Sequence, residues 1–240
     1  MSEAKRTIYL YDDKIGRVDY ISHMGSDLTV VNSARVSFGK EREEIDPADE
    51  KLIEYLVRHK HTSTLEHCSV TFRFKVPLFI SKQHMRHRTW SYNEISRRYT
   101  DFNIEFYEPQ KFRKQSKSNR QASIEEYIRP IILSKGKRKP KPAASLIEHH
   151  HRKSLMLYEE LLEAGVCREQ ARGVLPQNMY TEYYGTANLN NIIKFVDLRA
   201  HRGAQGEIQQ VAEAVLDIAE SLFPVTMGAY RDLKYEQQYS

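Results

Sequence analysis

The clearest periodicity in the chain is a strict alternation from Ser69 to Val76. Val70, Phe72, Phe74 and Val76 fall on one face, and Thr71, Arg73 and Lys75 on the other. A period of two marks a half-buried strand. Pro77 ends it, and Leu78, Phe79, Ile80, His84 and Met85 then suit a helix. Upstream, residues 7–11 predict a strand and 18–22 a second one after the turn at Gly16. Asp27 is expected to cap a short helix running through Val36. Asp46-Pro47 followed by Asp49 and Glu50 combines an N-cap, an early proline and an acidic first turn, and predicts a helix through Leu52, Tyr55 and Leu56 to about Lys60.

Helical spacing returns with Leu146, Leu155, Leu157, Leu161 and Leu162 and stops at Gly165. A second helical segment is expected from Glu169 to Leu175, before Pro176, and a strand over 181–186. Ile192, Ile193, Phe195, Val196 and Leu198 mark one further helix. Ile208, Val211, Val215, Ile218 and Leu222 mark a longer one ending before Pro224. There is no internal repeat and no βαβ alternation with a Gly-rich phosphate turn. The pattern therefore predicts an α+β chain, a single domain over 1–240 with a small, mostly antiparallel sheet flanked by several helices.

Composition changes this picture in one place. The chain of 240 residues carries a formal net charge of +5, but positions 111–153 hold 13 Lys or Arg against 3 acids, leaving 24 basic and 29 acidic residues for the rest. The basicity belongs to one segment, and the stretch from about 111 to 144, rich in Lys, Ser, Gln and Pro, is expected to be a basic loop or insertion. No apolar run approaches the roughly 20 residues of a membrane span. The first residues lack the features of a secretory signal, so the expected location is cytoplasmic. Only Cys68 and Cys167 occur, far apart, which argues against a disulfide framework and a thiolate zinc site.

The candidate chemistry centres on residues 86–99, Arg-His-Arg-Thr-Trp-Ser-Tyr-Asn-Glu-Ile-Ser-Arg-Arg-Tyr. Arginine keeps its charge and offers a planar fork of donors, so Arg86, Arg88, Arg97 and Arg98 repel one another unless an anion answers them. With Ser91, Asn93, Glu94 and Ser96 interleaved, the mixture suits phosphates and a polar heterocycle. Arg172 and Arg199 stand on partly apolar helical faces, where the commonest fate of an arginine is a structural salt bridge. A second polar knot, His61-Thr62-Ser63-Thr64-Leu65-Glu66-His67, lacks HExxH spacing and reads as a loop for a polar ligand, with no metal assigned. Glu148-His149-His150-His151 reads as a solvated helix start, because neighbouring helical positions point apart. No serine elbow or activated cysteine is visible, so an enzyme of this sequence would rely on a cofactor.

Arg-His-Arg-x-x-Ser-x-Asn-Glu-x-Ser-x-Arg-Tyr at 86–99 resembles the signature of the flavin-dependent thymidylate synthases. The resemblance extends to His61-x-Ser63-x-x-Glu66-His67, Ala171-Arg172-x-Val174-Leu175-Pro176, Leu198-Arg199 and Ala204-Gln205-x-Glu207-Ile208-Gln209, in family order. It implies reductive methylation of dUMP to dTMP, with methylenetetrahydrofolate as carbon donor, FAD as redox cofactor, NADPH as reductant and no cysteine nucleophile. It implies dUMP contacts at Gln83, His84, Met85, Arg86, Glu94, Ile95, Ser96, Arg97, Arg98 and Arg172, with Arg199 activating the uracil. Flavin contacts map to His61, Ser63, Glu66, Arg86, His87, Arg88, Glu94, Asn188, Asn190 and Lys194. Asn190 departs from the family, in which many members have arginine, as do His201 and Arg202 from an acid-containing segment. The resemblance also implies a homotetramer with active sites between subunits, and no membrane or nucleic-acid partner. The residues alone leave two alternatives standing: a nucleic-acid-binding protein using 111–153 and the arginine cluster, and a metal-dependent nucleotide hydrolase centred near His61.

Overall fold

The computed structural model describes residues 7–117, 119–120, 123–133, 135–136 and 139–239, the last three of these by backbone alone. Ser118, Gln121, Lys137 and Arg138 of the basic segment lie outside the described residues. In chain order the elements are β1 (Thr7–Tyr9), β2 (Arg17–Met24), α1 (Asp27–Arg35), α2 (Pro47–Arg58), β3 (Ser69–Pro77), α3 (Leu78–His84), β4 (Ser91–Glu94), β5 (Phe112–Gln115), β6 (Ser123–Ile128), β7 (Ile131–Ile132), β8 (Lys141–Pro142), α4 (Ala143–Glu163), α5 (Arg168–Ala171), β9 (Tyr180–Asn188), α6 (Leu189–Arg199), α7 (Gly206–Leu222) and α8 (Pro224–Tyr239). Short 3-10 turns occupy Val36–Phe38, Thr62–His67 and Arg172–Val174.

The chain is α+β and falls into two compact units. The first comprises the described residues of Met1–Lys75, His84–Asn93 and Tyr183–Ser240, and the second Val76–Gln83 and Glu94–Glu182. The larger sheet runs in the order β1-β2-β3-β9-β4, with β1–β2 and β2–β3 antiparallel.

In the first unit the alternation of β3 places Val70, Phe72 and Phe74 entirely out of solvent. Against this sheet and one another lie Val30 and Val31 of α1, Ile53 of α2, Phe195 and Val196 of α6, and Ile208, Val211, Val215 and Ile218 of α7, all fully buried. Each such side chain contributes roughly 1.5–3 kcal/mol of burial. The start of α2 forms as its residues dictate. The Asp46 carboxylate accepts from the N–H groups of Ala48 (2.8 Å) and Asp49 (2.9 Å), and the Asp49 carboxylate answers the Asp46 N–H at 3.3 Å. Asp49 also holds Arg35; burial opposes its ionisation, but the Arg35 bond and the Asp46 N–H keep its carboxyl below the ordinary range.

The expectation that Asp27 caps α1 is corrected. Ser26 is the N-cap, and the Ser26 N–H donates to Thr29 Oγ1 at 3.1 Å. The Asp27 carboxylate instead accepts from Val225 N–H (3.0 Å), Thr226 N–H (2.9 Å) and Thr226 Oγ1 (2.5 Å), which caps α8. α7 ends before Pro224 as expected, and Pro224 opens a further helix, α8, that the pattern did not announce; proline suits that position because its missing N–H costs nothing there.

In the second unit the 111–144 segment is more ordered than a loop. β5 and β6 pair antiparallel from Phe112↔Ile128 to Gln115↔Ser123, and β7 pairs with β8. Every residue of β6 is exposed, so no buried face stamps an alternation on the sequence. α4 ends as expected at Gly165, whose φ of +85° is the left-handed conformation that closes a helix, with Val166 N–H donating to Leu161 O at 2.9 Å. His151 corrects the solvated helix start. It lies within α4, 2% exposed, stacked on Phe106 with ring centroids 4.8 Å apart, and bonded through Nδ1 to Glu108 at 3.0 Å. The segment expected as one helix from Glu169 is a single turn, α5, followed by a 3-10 turn. Among the described residues no helix is long and apolar enough to cross a membrane.

Candidate active site

The signature segment leaves α3 and turns sharply in the first unit, with His87 N–H donating to His84 O at 2.9 Å and Trp90 N–H to His87 O at 3.2 Å. The turn is held from inside by aromatic rings. The His84 imidazole is fully buried, with ring centroids 4.5 Å from Phe195, 4.6 Å from Trp90, 4.7 Å from Phe74 and 5.2 Å from Tyr92. Its Nδ1 meets the Tyr183 hydroxyl at 2.9 Å, and its Nε2 has no hydrogen-bond partner among the described residues. Burial, with His87 and Arg199 nearby, holds His84 well below its ordinary pKa, so it is a neutral core residue. His84 is one of the expected substrate contacts; within this chain its side chain touches no solvent, and its carbonyl accepts from the Tyr92 hydroxyl at 2.8 Å.

Above this core the charged side chains collect. Arg199, the last residue of α6, donates its Nε–H to His87 Nε2 at 3.1 Å. His87 is half-buried, edge-on to Phe195 at 5.0 Å, and its pKa is lowered to about 4 by burial and by the Arg199 charge. Arg199 is itself lowered, first by burial and then by the like charge of Arg86. Arg86 and Arg88 are exposed, and Met85 is half-buried.

The 3-10 turn Thr62–His67 buries Thr64 and Leu65 and turns His61, Ser63 and Glu66 outward. Glu66 Oε1 accepts from Asn190 Nδ2 at 2.8 Å, a link that spacing in the sequence gives no means of finding. Asn190 is 3% exposed, so the residue that departs from the family arginine is turned onto Glu66. Asn188 Oδ1 caps α6 through Asn191 N–H at 2.9 Å, which commits that oxygen to the helix. Exposed Lys194 and Asn190 share the lining of a cavity of about 470 Å³ with Lys60 and Lys234, two residues that motif reading missed. Beside it Tyr230 donates to Asp197 at 2.6 Å.

In the second unit Glu94 accepts from Thr181 Oγ1 at 2.7 Å, and Ile95 N–H donates to Glu182 O at 2.9 Å. Ser96 Oγ accepts from Arg98 N–H at 3.2 Å and opens a turn. Arg97, another expected substrate contact, is 8% exposed and donates to the carbonyls of Phe102 (2.7 Å) and Asn103 (3.4 Å), so within this chain it ties down the following loop. Arg98 is exposed, 3.8 Å from Glu169 and 5.8 Å from the Tyr99 ring. Arg172 is exposed on its 3-10 turn, and Gln83 is half-buried.

The Cys68 thiol is a poor nucleophile by placement. Cys68 is buried and its pKa is pushed up to about 11, while Cys167 is exposed on the second unit.

Residues 19–225 match the family model described as thymidylate synthase complementing protein. The chain is 41% identical over 217 residues to a flavin-dependent thymidylate synthase of Thermus thermophilus, covering 90% of this chain and 76% of that one. It is 42% identical over 221 residues to the flavin-dependent thymidylate synthase of Kosmotoga olearia, covering 92% of each. Among solved structures it is similar to a UMP/dUMP methylase, PolB, from Streptomyces cacaoi bound with 5-Br dUMP, with a TM-score of 0.76 and 32% identity over 94% of this chain and 97% of that one. An enzyme with this signature, this turn and these relatives belongs to the flavin-dependent thymidylate synthase family.

Proposed function

We propose that the protein makes dTMP by reductive methylation of dUMP, with methylenetetrahydrofolate as carbon donor, FAD as redox cofactor and NADPH as reductant. The observation that carries this reading is Arg199, a half-buried cation held at its Nε by a neutral imidazole. A guanidinium fixed in that way against a pyrimidine stabilises negative charge on the ring and makes C5 more nucleophilic without a covalent enzyme adduct. The unreactive Cys68 agrees with such a route.

The donor set fits a flavin dinucleotide. His61, Ser63, Arg86, Arg88 and Lys194 are exposed or half-buried groups of the first unit that offer cations for a diphosphate and polar atoms for a heterocycle. When bound, the flavin supplies the redox chemistry. Glu66 takes part through Asn190, and His87 through Arg199. For dUMP, exposed Arg98 and Arg172 with Ser96 suit the phosphate, whereas His84 and Arg97 shape the segments that carry the contacts. On this reading the enzyme is a cytoplasmic homotetramer with active sites between subunits.

The test is a visible spectrum of the purified protein and tritium release from 5-tritiated dUMP, with and without methylenetetrahydrofolate and NADPH, and with UMP as a parallel substrate. Flavin absorbance and folate-dependent release from dUMP are expected. A colourless protein with salt-sensitive nucleic-acid binding, or a metal-dependent hydrolase indifferent to folate, would replace this reading.

A further inference from the structure

We propose that His87 is a positioning residue for Arg199, setting the plane of its guanidinium without neutralising its charge. The proposal rests on the reading that Arg199 activates the pyrimidine.

An arginine close to a core face is ordinarily oriented by a carboxylate, which fixes the fork and also cancels much of its field. Here the group on Nε is a ring nitrogen, 3.1 Å away. Asp197, two positions earlier on the same helix, accepts from Tyr230 at 2.6 Å. The acceptor is held rigidly in turn. His87 N–H donates to His84 O, and His87 O accepts from Trp90 N–H and from the Tyr92 hydroxyl at 3.1 Å. Its ring lies edge-on to Phe195, which stands one helical turn before Arg199 on α6. One helix thus delivers both the arginine and the ring that aims its partner.

An Nε2 that accepts must be unprotonated, so the ring proton sits on Nδ1. With its pKa lowered to about 4, His87 keeps this state at neutral pH. The like charge of Arg86 beside Arg199 adds to the demand for an anion at this point. The result is a guanidinium held at Nε by a group that adds no negative charge, suited to a ring whose negative charge grows during reaction.

Two substitutions separate orientation from charge. His87→Gln can present a neutral amide oxygen near the position of Nε2, and His87→Glu presents a charged one. With dUMP as substrate, kcat is expected to stay within about threefold for H87Q and to fall by about tenfold or more for H87E, while KM changes less. The near-ultraviolet difference spectrum of bound dUMP, which reports ionisation at N3, should weaken in H87E and persist in H87Q. Flavin absorbance and thermal unfolding establish that each variant is loaded and folded. Nuclear magnetic resonance of histidine-labelled wild-type protein gives an independent check: a proton found on His87 Nε2 overturns the proposal whatever the variants do. Arg199→Ala supplies the reference. If R199A keeps turnover, the reading of Arg199 falls; if R199A abolishes turnover while H87E matches wild type, the positioning role alone falls.

Discussion

Asp27 and Thr226 are 199 positions apart, yet the Asp27 carboxylate accepts both the backbone N–H and the hydroxyl of Thr226. The first residue of α1 thereby closes the first turn of α8, and both partners are buried. Removing the carboxylate strands three donors, the N–H groups of Val225 and Thr226 and the Thr226 hydroxyl. Asp27→Ala is expected to cost about 1–3 kcal/mol and Asp27→Asn less, because an amide oxygen still accepts one bond. Urea unfolding followed by circular dichroism measures both. Equal stability of D27A and wild type would show that α8 does not need this cap.

That bond also explains which parts of the fold were legible. Asp46-Pro47-Asp49, the alternation of Ser69 to Val76 and the stop at Gly165 are local devices, each complete within a few residues, and each formed as read. Asp27 carries the same chemistry as Asp46 but serves a helix almost 200 positions away, so local reading assigned it to the wrong one. β4 was hidden inside residues chosen for chemistry, and β6 has no buried face to betray it. The family motif names candidate segments, and folding decides how exposed each of their residues is. His84 and Arg97 belong to those segments, and aromatic rings and loop carbonyls, brought together only by folding, hold them inside.

Gly185 is where the aromatic core under the signature turn tolerates no added atom. A Cβ there would lie 2.9 Å from the Phe74 ring and 3.3 Å from Trp90. Phe74 is stacked on Tyr183 with centroids 5.1 Å apart, so it has little room to yield. Gly185→Ala should destabilise by about 1–3 kcal/mol through overpacking. Gly228, within α8, has only Glu220 Oε1 at 4.0 Å, and Gly228→Ala should stabilise by about 0.5–1 kcal/mol through helix propensity. Thermal unfolding of the two variants in parallel should therefore give shifts of opposite sign; shifts of the same sign would contradict the packing account.

The Glu66–Asn190 bond predicts non-additivity. Removing either partner leaves the other unpaired at 2.8 Å from its former neighbour, so the second deletion should cost less than the first. A double-mutant cycle with Glu66→Ala and Asn190→Ala is expected to show a coupling of about 0.5–1.5 kcal/mol in stability. Flavin retained on desalting should fall in both single variants and little further in the double. Strict additivity would mean that the two residues act apart.

Acid should destabilise the protein before its carboxylates titrate. Burial holds His84 well below the ordinary histidine value and His87 at about 4, whereas both titrate near about 6.5 in an unfolded chain. Between those values the unfolded state binds protons that the native state refuses. Stability is therefore complete above about pH 6.5 and declines as the pH falls towards 4. For fully buried His84 the slope approaches about 1.4 kcal/mol per pH unit, and half-buried His87 adds less because solvent screens it. Asp49 and Asp101, whose carboxyls are held below the ordinary range, contribute losses only at lower pH. Urea unfolding at about pH 7.5, 6 and 5 should show this decline in wild type. It should be shallower in His84→Gln, which cannot take up the proton although it is less stable throughout. Parallel pH dependences for the two proteins would remove His84 as the source.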